Sequence, residues 1–129
     1  PMSTTHPTAF RNTVADLVDS SIGTAGNLVF RTAGSANSPG TAVATLPFGN
    51  PAFGAASSGV ITANAITSDT NATGNASAVA TATLQHSGGT VIVHCEVAAS
   101  GEDIDLTGGL TIGAGDTVSC SSLTYEAMP

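Results

Sequence analysis

The stretch 77-SAVATATLQHSGGTVIVHCEVA-98 decides the fold. In its first half apolar residues alternate with threonine and glutamine, so the two residue types fall on opposite faces of a strand. Its second half alternates in the same way, with Val91, Val93, Cys95 and Val97 predicted to face inward. Because Ser87-Gly88-Gly89 between the halves is typical of a tight turn, the stretch predicts a β-hairpin with one face on a hydrophobic core.

The two-residue period recurs on both sides of this hairpin. It predicts further strands over residues 27–32, 42–48, 60–66, 104–106 and 117–126. Pro47 predicts that the second of these strands ends there or lies at an edge. The last strand changes parity between Cys120 and Leu123, which predicts a one-residue bulge near Ser121-Ser122.

One segment has a helical period instead. Apolar residues at i, i+4, i+7 and i+8 predict a helix over about residues 8–22, whose core-facing stripe is Phe10, Val14, Leu17 and Val18. Its polar residues Arg11, Asn12, Asp16 and Asp19 are then expected to face solvent. Short strands joined by frequent turns predict a mainly β chain, specifically an antiparallel β-sandwich or jelly roll with one short N-terminal helix.

The chain length fits one domain. With 129 residues, we expect an N-terminal arm over residues 1–8 and a single β-sandwich domain over residues 9–129. Pro1 before Met2 is interpreted as a remnant of tag cleavage, with Met2 as the native start and synthesis in the cytosol.

The charge balance excludes two classes of partner. The net charge is -7, and Arg11 and Arg31 are the chain's two basic residues apart from histidine. Nucleic-acid binding and adhesion to anionic membranes both need clustered cations, so neither partner is expected. No stretch approaches the roughly 20 apolar residues of a membrane span.

The sequence has few candidate catalytic or metal-binding residues, and we expect neither an enzyme nor a metal or other cofactor. His94 and Glu96 share one predicted strand face, which is typical of a solvated surface pair. The acidic group Glu102, Asp103 and Asp105 lacks the spacing of a calcium-binding loop. No serine stands in a Gly-x-Ser-x-Gly motif, so no catalytic residue is assigned.

The two cysteines and one stiff loop are the remaining candidates. A disulfide between Cys95 and Cys120 is conceivable, but two buried free thiols are the expectation for a cytosolic product. The loop carries Pro47, Phe48, Pro51 and Phe53. Its aromatic rings either close one end of the sandwich or contact a neighbouring subunit or capsid.

The order of these features resembles a family of small tailed-bacteriophage virion structural proteins. The resemblance runs from about Ala9 to Ala127, and its most specific parts are 46-LPFGNPAFGAASSGVITANAITSDTNATG-74 and 103-DIDLTGGLTIGAGDTVSCSSLTY-125. It implies a β-sandwich on the capsid surface of the virion, namely a decoration (cement) protein that binds and stabilises the assembled head. The implied partners are the major capsid protein or other virion proteins, and the implied state is a homo-oligomer, with a trimer favoured.

Two other functions stay open. The chain is alternatively a tail, collar or head–tail connector component of the virion. It is also alternatively a glycan-binding β-sandwich module, although such sites stack sugars on aromatic faces and the chain has no Trp and one Tyr.

Overall fold

The structure is a computed structural model, and it describes residues 4–128. The expectations for Pro1 and Met2 lie outside the described residues. The described chain is mainly β with one short helix, as predicted. Its elements are α1 (Thr8–Ile22), β1 (Asn27–Arg31), β2 (Ala42–Pro47), β3 (Val60–Thr62), β4 (Thr81–Gln85), β5 (Val91–Ala98), β6 (Ile104–Asp105) and β7 (Thr124–Glu126).

Five strands form one sheet in the order β2-β1-β4-β5-β6, and β3 pairs with β7 in a separate two-stranded sheet. The predicted hairpin is confirmed as the antiparallel pair β4–β5, in which Leu84 lies opposite Val93. Leu28 of β1 lies opposite Leu46 on one side and Leu84 on the other. The apolar residues of four adjacent strands therefore line up across one face of the sheet.

The expectation of purely antiparallel pairing is wrong, because β5 and β6 run parallel. Val97 lies opposite Ile104, and only the five residues 99–103 separate the two strands. The Asp103 carboxylate accepts a hydrogen bond from the backbone N–H of Glu96 at 2.9 Å, which holds the returning chain against β5. The segment thus loops back and re-enters the sheet in the original direction, so that the sheet is mixed.

The predicted last strand is also wrong in its extent. Val118 and Asp69 form an isolated bridge with two backbone hydrogen bonds, whereas β7 begins only at Thr124. The change of parity in the sequence therefore marks a strand divided between two partners, and not one strand with a bulge.

The predicted bounds of the helix are confirmed, but the predicted core-facing stripe is partly wrong. Its buried residues are Ala15, Val18 and Ile22, while the side chains of Phe10 and Leu17 are 50% and 61% exposed. The helix is thus rotated relative to the prediction. Gly23 ends it with a positive φ of 79°, and its N–H bonds back to the carbonyl of Asp19.

Polar side chains explain the rotation. Residues 53–59 have little regular pairing, so their backbone N–H groups need other acceptors. Asn12, Asp16 and Asp19 lie one above the other on the helix at i, i+4 and i+7, and they accept hydrogen bonds from the N–H groups of Gly59, Ala56 and Phe53 at 2.7, 3.0 and 3.0 Å. The helix therefore turns Asn12 and Asp19, which are half-buried, toward the body of the protein, while Asp16 stays exposed as predicted.

One hydrophobic cluster joins the helix, both sheets and the intervening loops. Its largest fully buried side chains include Phe30, Phe53, Ile22, Leu28, Leu46, Ile61 and Leu84. The opposite face of the central strand β4 is buried as well, since Thr81 and Thr83 are almost inaccessible. The predicted alternation of buried and exposed residues in β4 is consequently wrong.

The side chain of Arg31 explains the burial of that second face. It donates hydrogen bonds to the hydroxyl of Thr83 at 3.1 Å, the side-chain carbonyl of Gln85 at 3.0 Å and the backbone carbonyl of Gly40 at 2.9 Å. The Thr83 hydroxyl in turn donates to Gln85 at 2.9 Å. A cation thus lies across β1 and β4 with each of its three side-chain nitrogens donating one hydrogen bond, and the bond to Gly40 holds the 32–41 loop against the sheet.

The rotation of α1 can be tested with two matched truncations. Ile22→Ala removes a fully buried side chain and is expected to lower the free energy of unfolding by about 2–5 kcal/mol. Leu17→Ala truncates an exposed side chain in the same helix and is expected to change it by less than about 0.5 kcal/mol. Urea unfolding monitored by circular dichroism measures both values. A larger loss for Leu17→Ala than for Ile22→Ala would contradict the observed helix face.

Candidate interaction surfaces

The stiff loop over residues 47–53 presents prolines, and not aromatic rings, to solvent. Phe48 and Phe53 are buried, and their ring centroids lie 5.6 Å apart in a tilted arrangement. Both rings belong to the hydrophobic cluster, so they close one end of the fold. Pro47, Asn50 and Pro51 are exposed, and they are the part of this loop that a neighbouring molecule can reach.

The most apolar exposed side chains of the helix form a surface that the sequence pattern had assigned to the core. We call Phe10, Val14 and Leu17 the outer stripe; Phe10 and Leu17 are exposed, and Val14 between them is half-buried. The ring of His6 lies 4.9 Å from that of Phe10 and extends the stripe toward the N-terminus. The stripe follows the helix axis over two turns.

The flank of the outer stripe carries hydroxyls that are already bonded within the helix. The Thr13 hydroxyl donates to the Ala9 carbonyl at 3.1 Å, and the Ser20 hydroxyl donates to the Asp16 carbonyl at 2.9 Å. These groups therefore have less need of water than free hydroxyls, so this flank costs less to desolvate.

The charged residues of α1 bond to the body of the protein. Arg11 donates to the Glu126 carboxylate at 3.0 Å and to the Ala127 carbonyl at 3.1 Å. Asp16 and Asp19 accept the loop amides already described. The sequence held a signal for this arrangement, because Ala15, Val18 and Ile22 form a second apolar stripe at i, i+3 and i+7.

The other titratable side chains differ in their exposure. The His94 Nε2 and Glu96 Oε1 atoms are 3.5 Å apart, but the Glu96 side chain is 58% exposed and that of His94 only 16%, so the expected solvated surface pair is wrong for His94. Asp103 and Asp105 use carboxylate oxygens to accept the backbone N–H groups of Glu96 and Glu102. Within residues 4–128, no group of three or more His, Cys, Asp or Glu side chains is arranged to hold a metal ion.

An open groove of about 490 Å³ lies between residues 103–109 and residues 116–124. Threonine and serine are frequent in its walls, and Asp103, Asp105 and Asp116 add three carboxylates. Among the described residues of its lining, the one aromatic side chain is Phe30, which is buried beneath the floor. The groove therefore offers no exposed ring on which a sugar could stack.

Cys95 and Cys120 are free thiols in the structure, and both are half-buried against the hydrophobic cluster. Burial raises the pKa of the Cys95 thiol to about 11, and the nearby carboxylates of Asp103 and Glu96 add to this effect. Burial also raises the pKa of Cys120, although a hydrogen bond with the backbone of Ser122 acts in the opposite direction. Since the thiolate is the reactive form, neither environment activates its cysteine.

The raised pKa values predict slow alkylation that accelerates with pH. At pH 8 a thiol with a pKa of about 11 is ionised in roughly one molecule in a thousand, against about one in ten for a pKa of 9. We expect iodoacetamide to modify Cys95 in the folded protein about tenfold faster for each pH unit between 7 and 10. Mass spectrometry of Cys95→Ala and Cys120→Ala separates the two sites. Rapid modification of Cys95 at pH 7, in protein shown to be folded, would contradict its placement.

The fold and these surfaces were compared with known proteins. Neither protein-family models, nor curated proteins, nor solved structures give a significant match to this chain. Over residues 4–128, α1 falls short of the length and apolar character that a membrane-crossing helix requires.

Proposed function

We propose that the chain is a structural protein of a tailed-bacteriophage virion that binds the outside of the assembled head and stabilises it. Two supports meet in this proposal: the resemblance carried by residues 46–74 and 103–125, and the outer stripe of α1. The stripe is the observation that matters most, because it offers a small β-rich body an uncharged surface for other proteins. The finer architecture, a β-sandwich or jelly roll, belongs to the same proposal.

The charge distribution supports a place on the outer surface of the head. Both arginines are bonded within the chain, Arg11 to Glu126 and Arg31 to Thr83 and Gln85. The side chains of Glu96, Glu102 and Asp105 are in contrast exposed. Packaged DNA repels such an acidic surface, so DNA is not a partner in this proposal, and neither is a membrane.

Stabilisation of the head would follow from selective binding. A protein that binds the assembled shell and not its free subunits shifts the equilibrium toward the shell, by about 2.7 kcal/mol per site at one hundred times the Kd. Many copies on a symmetric lattice act together, so each contact can be weak. The major capsid protein is the proposed partner, and a homo-oligomer, favoured as a trimer, is the proposed state on the head.

Two parts of the surface are proposed as contacts with the shell. Pro47 and Pro51 are exposed beside a buried aromatic pair, so the loop is stiff and loses little conformational entropy on binding. Thr4, Thr5 and His6 are exposed ahead of the helix and form a segment that can lie on a neighbouring protein. The tail, collar and connector alternatives use the same surfaces and differ in where the protein sits.

The proposal predicts density on the head. Heads prepared without this protein, incubated with the purified chain and imaged by electron cryomicroscopy, are expected to gain symmetric density on the outer surface. They are also expected to release their DNA at a higher temperature, because binding stabilises the assembled shell. An unrelated acidic protein of similar size serves as the control. Density on the tail or neck alone would favour the alternatives, and no density on the virion would refute the proposal.

A further inference from the structure

We propose that the C-terminal strap of this chain, residues 123–127, leaves its own body and binds β3 of a second copy. The exchange names the segment that joins the copies of the homo-oligomer, and it rests on the proposed function only for that self-associated state. Because every copy offers the same partners, the contacts that hold the strap within one chain also fit the strap of another.

The strap is attached to the body along one edge. Its strand β7 pairs with β3. The Ala63 N–H donates to the Leu123 carbonyl at 2.8 Å at one end of the pairing. The Ala127 N–H donates to the Gly59 carbonyl at 2.8 Å at the other end. Over residues 4–128, β3 and β7 form a two-stranded sheet of their own, so the second edge of β7 pairs with no strand.

Open spaces separate the other side of the strap from the main sheet. A cavity of about 260 Å³ lies between residues 123–126 and residues 93–95 of β5. The open groove of about 490 Å³ borders the chain over residues 116–124, and a cavity of about 140 Å³ lies between residues 120–123 and residues 63–66. The strap is therefore held by β3 and is not packed closely against β5.

An exposed ion pair fastens the end of the strap. Arg11 of α1 donates to the Glu126 carboxylate at 3.0 Å and to the Ala127 carbonyl at 3.1 Å. Its guanidinium lies on the backbone of Gly59, where a Cβ atom would stand 2.8 Å from the Cζ of Arg11. The Glu126 side chain is 67% exposed, and exposed ion pairs contribute little to stability. This contact opens easily, and it recognises the same strap on any copy.

The surface under the strap needs an occupant of the same kind. Ile61 of β3 is fully buried, and Leu123 and Ala127 of the strap belong to the hydrophobic cluster. Release of the strap exposes these side chains and unpairs the backbone of β3. The strap of a second copy restores every one of these contacts, including that of Arg11 with Glu126. The closed and exchanged forms then differ mainly in the hinge and in the entropy of association.

Residues 119–122 supply the hinge. Val118 is fixed to Asp69 by backbone hydrogen bonds of 2.8 and 2.9 Å, and the strap begins at Leu123. The four residues between belong to no strand, and their three serines are exposed. Fully extended, the five steps from residue 118 to residue 123 span about 17 Å, enough to reach a copy alongside. Reciprocal exchange closes a dimer, and exchange in one direction around a ring closes a trimer.

One pair of positions suits a disulfide trap between copies. Thr62 and Thr124 lie opposite each other in the β3–β7 register, and both are exposed. The adjacent pair, Ala63 and Leu123, is hydrogen bonded, so Thr62 and Thr124 form a non-hydrogen-bonded pair. Such pairs have Cα atoms about 4.5 Å apart, which a disulfide can bridge.

A mixture of two single variants tests the exchange. In a background with Cys95→Ala and Cys120→Ala, an isotope-labelled Thr62→Cys chain is incubated with an unlabelled Thr124→Cys chain at about 1 mM, which favours association by mass action. Samples then receive a short pulse of oxidant, and intact-mass spectrometry counts the heterodimer. We expect at least about tenfold more heterodimer than from an Ala36→Cys chain with the Thr124→Cys chain, because chance collisions of exposed thiols lack the required geometry.

Glu126→Gln tests the ion pair that fastens the strap. The loss of charge weakens the closed and exchanged forms alike, so heterodimer is expected to form about twofold to fivefold faster and to reach the same final amount. Glu102→Gln removes the same charge from an exposed site outside the strap and is expected to leave the rate unchanged. Equal rates for the two variants would show that the ion pair does not control release.

A chain with both substitutions, Thr62→Cys and Thr124→Cys, makes a negative result decisive. When dilute, it is expected to cross-link within one chain and to keep the mass of a single copy. If it does so while the mixture of single variants gives no more heterodimer than the Ala36→Cys control, exchange is refuted. If it fails to cross-link, the register on which exchange rests is refuted. No virion is present, so either failure leaves head binding standing, and failure of head binding leaves exchange standing.

Discussion

The hydrogen bonds from the 53–59 segment to α1 are the constraint on which the arrangement of this molecule depends. An amide that loses water without gaining an acceptor costs about 1–3 kcal/mol, and the segment presents three such groups to the helix. Asn12, Asp16 and Asp19 supply the acceptors because their spacing places them on one side of the helix. Once these bonds form, the rotation of the helix is fixed.

Two consequences follow from that rotation. Ala15, Val18 and Ile22 enter the hydrophobic cluster, and small and medium side chains there let the helix lie close to both sheets. Phe10 and Leu17 are turned outward, since a helix cannot place three different faces on the same core. The bonded acids and the exposed apolar residues therefore have a single structural cause.

The sequence predicted the strands well, because a period of two can be read directly where one face of a strand is buried. Leu28, Leu46 and Leu84 were placed on strands by alternation, and they lie opposite one another in the sheet. Pairing direction is not encoded locally, so the parallel entry of β6 next to β5 could not be read from its two residues. The burial of Thr83 depends on Arg31, 52 positions earlier in the chain, and is equally non-local.

The prediction of which helix face is buried failed for a more general reason. The prediction assumed that acidic residues face water, which holds where water is their best hydrogen-bond donor. Here loop amides donate to both Asp16 and Asp19, and Asp19 is half-buried against the loop, whereas Asp16 stays exposed as predicted. For the 47–53 loop the sequence left two alternatives open, and the structure has the first of them: the rings of Phe48 and Phe53 pack on each other and on the core, where they close one end of the fold.

The exposed apolar residues of α1 differ from ordinary surface residues in the polar groups around them. A single exposed leucine is ordinary, since much of any protein surface is apolar. In α1, however, the charged side chains bond inward and the flanking hydroxyls bond along the helix, so that water has few polar groups left to solvate on that flank. Covering this stripe would cost little in lost hydration, and the same is not true of the acidic loops at the far end of β5. A protein that covered this stripe would therefore leave few polar groups of the helix without hydrogen bonds.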